Sequence, residues 1–100
     1  MKRYAFLDDG AGYYQGAYDA TDVAAAIRQY DDQAGLIPEI RLDLHFAEIT
    51  PEQEAALDEW AARGHSNLDE ELVARIDTVE WTRMSDADVR EILGYAPAED

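Results

Sequence analysis

From Glu39 to Phe46 the chain alternates without a fault, with Ile40, Leu42, Leu44 and Phe46 in one register and Glu39, Arg41, Asp43 and His45 in the other. Only an extended strand, whose successive side chains point to opposite faces, turns that pattern into one apolar surface. Such a strand does not stand alone, because its backbone needs neighbouring strands and its apolar face needs a cover. The alternation therefore predicts a sheet with one face wet.

Partner strands are legible on both sides of it. Residues 3–8 and 13–18 are rich in Tyr and Phe and are joined through Asp9-Gly10-Ala11-Gly12, a connection suited to a hairpin. Thr78 to Arg83 is β-branched, aromatic and alternating, which predicts a fourth strand with Val79 and Trp81 on the core face; continued helix is the alternative.

The covering helices announce themselves by period and caps. Val23, Ile27, Tyr30 and Ala34 recur at helical spacing after Thr21 or Asp19 as cap and before Gly35 as terminator. Thr50, Pro51 and Gln53 form a capping box with proline at the first helical position, opening a helix to Arg63 that buries Leu57, Trp60 and Ala61. Asn67 followed by Glu70 starts a third helix with Leu68, Leu72 and Ile76 inward. Ser85 with Asp88 starts a fourth, through Leu93 and ended by Gly94. The order is ββαβααβα. It predicts an α+β fold, a small mostly antiparallel sheet of three or four strands with helices packed on one face. Residues 1–95 form one domain of ordinary size and 96–100 a frayed acidic tail.

At 47% hydrophobic residues the chain can bury a core. With no cysteine, disulfides and thiolate chemistry are closed to it. The apolar run after Lys2 and Arg3 ends at Asp8, too short for a signal peptide, and no stretch approaches the roughly 20 apolar residues of a membrane span. A cytoplasmic protein is expected.

The motifs that carry chemistry are weak. Asp43, His45 and Glu48 are the nearest approach to a metal set, yet they fit a wet sheet face better. Gly10, Gly12 and Gly16 resemble a phosphate loop only superficially, since they sit inside a hairpin with acidic neighbours and no lysine; turn and bulge roles explain them. Ser66 beside His65 is a turn or cap residue, and with 23 acids any chosen carboxylate pair is uninformative. Neither a catalytic constellation nor a cofactor is expected.

What remains is charge. Twenty-three acids face eight bases, seven of them arginine, for a formal net charge of −15. Phosphate and anionic lipid repel such a chain, so nucleic acid and membrane surface are disfavoured and the expected partner is a basic nucleic-acid-binding protein or complex. Glu59 with Arg63, Glu71 with Arg75 and Asp86 with Arg90 have the spacing of local helix pairs. Helix dipoles account for Asp22, Glu52, Asp69, Glu70, Asp86 and Asp88 at helix starts. Asp31 and Asp32 stand at the wrong end of a helix for that explanation. The surplus predicts a partner-binding surface of Asp31, Asp32, Glu52, Glu54, Asp58, Asp69 and Glu70, unpaired within the chain. Tyr13, Tyr14 and Tyr18 outnumber one inward strand face, so some of them are expected at the surface, where they can serve as interface residues, while at least half are expected to pack under a helix.

In size, acidity and absence of cofactor apparatus the chain resembles the anti-CRISPR and antirestriction proteins of phages and mobile elements. Tyr4-Ala5-Phe6-Leu7 and Gly16-Ala17-Tyr18-Asp19-Ala20 are similar to the first module of the ArdA-type antirestriction family over about 30 residues, one residue short of that family's spacing before Asp-Ala. The family is longer, with several modules, and none of its functional residues transfers. The resemblance implies an inhibitor that presents phosphate-like acids to a defence machine. Two alternatives stand beside it: an immunity protein or antitoxin covering a basic toxin, and a protein whose acidity serves solvation in high salt.

Overall fold

The computed structural model describes residues 1–8, 13–36, 41–65 and 69–96. Strand β1 (Lys2–Asp8) pairs antiparallel with β2 (Tyr14–Ala20) on one side and β3 (Leu44–Glu48) on the other, and β4 (Thr82–Met84) closes the order β2-β1-β3-β4. Phe6 faces Gly16 and Leu7 faces Tyr14, which leaves Gln15 as the extra residue of a bulge. Gly16 sits there at φ +108°, a conformation an L side chain rarely adopts. Gly10 and Gly12 lie outside the described residues.

Four helices complete the expected α+β order: α1 (Val23–Ala34), α2 (Pro51–Ala62), α3 (Glu70–Ile76) and α4 (Asp86–Leu93). The capping box of α2 is complete, with the Gln53 N–H donating to Thr50 Oγ1 at 3.2 Å and the Thr50 N–H to Gln53 Oε1 at 2.9 Å. Asp22, not Thr21 or Asp19, caps α1, and Gly35 ends it in the left-handed conformation. Asp69 caps α3; the expected Asn67 and Leu68 lie outside the described residues. Ser85 caps α4, as its spacing to Asp88 predicts.

The helices do not share one face of the sheet. Tyr4, Ala5 and Phe6 are consecutive on β1 and all three are buried, so both faces of the central strand are covered. On one side Tyr4, Phe6 and Leu44 meet Ile27 and Tyr30 of α1 and Val89 of α4. Phe6 stacks on Tyr30 with centroids 5.2 Å apart, and burial pushes the Tyr30 hydroxyl up to about 12. On the other side Ala5, Ala47 and Ile49 lie beneath Leu57 of α2, with Val79, Trp60, Ile76 and Trp81 around them.

This second layer corrects the wet-face expectation. Strand β3 begins at Leu44, and Glu39 and Ile40 lie outside the described residues. The polar register of Asp43 and His45 continues into Ala47 and then Ile49, which α2 covers; His45 is half-buried, and the Asp43 side chain, held by Arg41, Arg83 and the Asp86 N–H, is only 9% exposed. The fourth strand is likewise shorter than its pattern. Val79 and Trp81 pack into the core from the turn after α3, where the Val79 N–H still donates to the Ile76 carbonyl. Among the described residues no helix is long and apolar enough to cross a membrane. Of the expected tail, only Ala96 is described; its carbonyl accepts from Arg90.

Candidate interaction surface

The seven acids expected to bind a partner fall on opposite sides of the sheet. Asp31 and Asp32 belong to α1, whereas Glu52, Glu54 and Asp58 belong to α2 and Asp69 and Glu70 to the start of α3. They do not make one patch.

Three of the seven are also engaged inside the molecule, against the expectation that they are unpaired. The Arg3 guanidinium donates to both oxygens of Glu54, each at 2.8 Å, and its hydrogen bonds hold the Glu54 carboxyl below the usual range. Asp69 accepts from the Glu71 and Leu72 N–H groups and pairs with Arg63; the backbone bond from Leu72 is the main reason its carboxyl is lowered. Asp31 accepts the Tyr95 hydroxyl at 2.9 and 3.1 Å and the Leu36 N–H at 3.2 Å. That pairing explains an acid at the C-terminal end of a helix without a partner.

Six of the eight cations are spent the same way. Arg3, Arg41, Arg63, Arg75, Arg83 and Arg90 all pair with carboxylates, including the three helix pairs expected from spacing, Glu59–Arg63, Glu71–Arg75 and Asp86–Arg90. Asp43 and Asp86 interlock, since the Asp86 N–H donates to Asp43 and the Leu42 N–H donates to Asp86. That backbone bond, with Arg90 beside it, holds the Asp86 carboxyl below its ordinary value.

Residues 50–80 hold nine carboxylates and two arginines. After pairing, Glu52 and Asp58 on α2, Glu70 on α3, and Asp77 and Glu80 beyond it stay exposed with no ion pair among the described residues. Asp77 and Glu80 add to the expected set. Neither has an arginine or lysine four residues away, a signal the sequence already carried. Asp32 remains exposed on the opposite layer.

Beside these acids, α2 ends in an aromatic corner. The Gly64 N–H donates to the Ala61 carbonyl and the His65 N–H to the Trp60 carbonyl, a Schellman ending that turns the chain back toward β2. His65 itself has φ +63°, the one positive value among described non-glycine residues. Its Nε2 accepts the Tyr14 N–H at 3.1 Å, which fixes the ring at the start of β2. Trp60 meets that ring edge-on at 4.5 Å, and Tyr13 lies over it at 4.7 Å. Tyr13 is 54% exposed, whereas Tyr14 and Tyr18 are half-buried. Burial, and next the nearby Asp58 and Glu54 charges, push the Tyr14 hydroxyl well above the usual tyrosine range.

Asp43, His45 and Glu48 do not converge. Asp43 is held by Arg41, Arg83 and the Asp86 N–H, while His45 and Glu48 point to opposite faces of β3. Among the described residues no group of three or more His, Asp or Glu side chains is placed to hold a metal ion. Comparison with protein-family models, curated proteins and solved structures finds no match to this chain.

Proposed function

We propose that this chain is an acidic inhibitor whose α2–α3 face occupies the basic, nucleic-acid-binding surface of a defence complex of anti-CRISPR or antirestriction type. One observation carries the reading: six arginines are consumed within the chain, yet Glu52, Asp58, Glu70, Asp77 and Glu80 are left exposed and unneutralised on one layer. A face of that kind attracts a cationic cleft over long range and rejects phosphate. The defence assignment within that reading rests on the resemblance of Tyr4 to Leu7 and Gly16 to Ala20 to antirestriction proteins.

The test is competition. The immobilised chain is challenged with purified restriction, CRISPR and nuclease-toxin proteins, and bound protein is eluted with duplex DNA or with salt. Retention of a DNA-handling defence protein, released by duplex and by rising salt, supports the proposal. Retention indifferent to both refutes it, and a nuclease toxin as the tightest partner assigns the chain to the immunity class instead.

A further inference from the structure

We infer that the aromatic corner of Tyr13, His65 and Trp60 is a docking point for an arginine side chain of the basic partner, with Tyr13 as the residue it stacks on. The inference rests on the proposed acidic-face function and specifies where, and to which cation, that face binds. Local rules fail together in this corner. Among the described residues Tyr13 is the one large aromatic that is exposed, His65 is the one non-glycine residue with positive φ, and the Trp60 Nε1–H is buried with no acceptor. The left-handed His65 and the unpaired buried Trp60 N–H are each unfavourable for folding alone, and such departures cluster where a chain is built for binding.

The geometry also prepares the ring. Tyr13 meets the His65 ring at a 36° tilt, and Trp60 and the Tyr14 N–H hold that ring in turn, so Tyr13 has less freedom to lose when a partner arrives. Asp58 and Glu54 lie close enough to act electrostatically on the adjacent Tyr14, and Glu54 is already committed to Arg3. Asp58, exposed and without an ion pair among the described residues, is thus the carboxylate left over on α2, two residues before Trp60. A planar guanidinium suits an exposed ring on an acidic layer, because it stacks on the π-face and keeps its charge, whereas an ammonium stacks less well.

The probe is a pair of capped seven-residue peptides, all-arginine and all-lysine, titrated against the intact protein by calorimetry at low salt. The expected result is tighter binding of the arginine peptide by about three- to tenfold. Tyr13→Ala should abolish that preference while leaving lysine-peptide binding nearly unchanged, and Tyr13→Phe, which keeps the ring, should retain it. A preference that survives Tyr13→Ala, or equal binding of the two peptides to the unaltered protein, overturns the corner but leaves the acidic face standing. Binding of neither peptide overturns both.

Discussion

On the α1–α4 side of the sheet the interior is aromatic and closed, with Phe6 stacked on Tyr30, Tyr18 against both, and Tyr95 pinned to Asp31. On the α2–α3 side the floor is Ala5 and Ala47, opposite one another in the β1–β3 register, and the aromatic residues drift outward from Trp60 through His65 to an exposed Tyr13. The acids divide less cleanly: Asp31 is drawn into the first layer while Asp32 stays exposed, and in the second Glu54 and Asp69 are engaged while Glu52, Asp58 and Glu70 face solvent. The contrast teaches that the two layers are closed differently: aromatic rings fill one, whereas alanines floor the other and an aromatic edge stays exposed.

The largest expected effect tests that division at the core. Phe6→Ala removes a fully buried ring from the α1–α4 side and should cost about 3–5 kcal/mol, a large share of the roughly 5–15 kcal/mol that holds a domain folded. Leu57→Ala, equally buried but above a floor of alanines onto which α2 can settle, should cost less, about 2–3 kcal/mol. Urea unfolding of the two variants measures the order. A reversed order breaks the claim that the principal core lies beneath α1 and α4.

Charge reversal should separate the layers functionally. Glu52→Lys with Asp58→Lys should weaken binding to a basic partner on the order of tenfold at low salt and flatten its salt dependence. Stability should move by no more than about 0.5 kcal/mol, because both side chains are exposed and no ion pair is broken. Asp31→Asn should do the opposite, lowering the melting temperature and leaving binding intact. Equal binding losses from the two layers would erase the distinction.

The element order was legible because it is written in local signals: the Thr50–Gln53 box, Ser85 before Asp88, and the left-handed glycines Gly35 and Gly94. What local pattern did not reveal was the second covered face. Alternation over Glu39–Phe46 reports which residues share a side, not whether the polar side is roofed, and the roof depends on Ala47 and Ile49 just past the pattern. The site was legible in part for a similar reason. Spacing found the i,i+4 helix pairs seen among the described residues, but Arg3 reaches Glu54 across 51 positions and Tyr95 reaches Asp31 across 64, distances at which sequence carries no periodic trace. The excess of tyrosines in the hairpin pointed to an exposed ring, and it took the fold to identify it as Tyr13.

A smaller effect follows from Arg3 and Glu54, the pair that ties β1 to the start of α2. The Glu54 carboxyl is held below its unfolded value by the Arg3 hydrogen bonds, so its contribution is full above the ordinary carboxylate range and is lost as pH falls through the lowered value. With both side chains partly exposed, Glu54→Gln should cost about 0.5–1 kcal/mol at pH 7. Urea midpoints from pH 7 to pH 3 should fall more steeply in the unaltered protein than in the variant. Parallel curves would show that the α2 layer is not anchored through this pair.

The smallest effect lies at the other layer and at the other end of the pH scale. Tyr95 donates its hydroxyl to Asp31, and that hydrogen bond, reinforced by the surrounding negative charge, raises its pKa above the ordinary tyrosine value. A raised acid favours its protonated form in the folded state, so the stabilisation is complete below the unfolded tyrosine pKa near 10 and disappears as pH rises through the folded value. Thermal unfolding should therefore show an alkaline fall that Tyr95→Phe reduces, and the same variant should melt slightly lower at neutral pH. Because Asp31 also accepts the Leu36 N–H beyond the end of α1, Asp31→Asn should lower the melting temperature further than Tyr95→Phe. If Tyr95→Phe leaves both the neutral melting temperature and the alkaline fall unchanged, the Tyr95 hydroxyl does not hold Asp31, and only the Leu36 N–H remains to tie that acid to the fold.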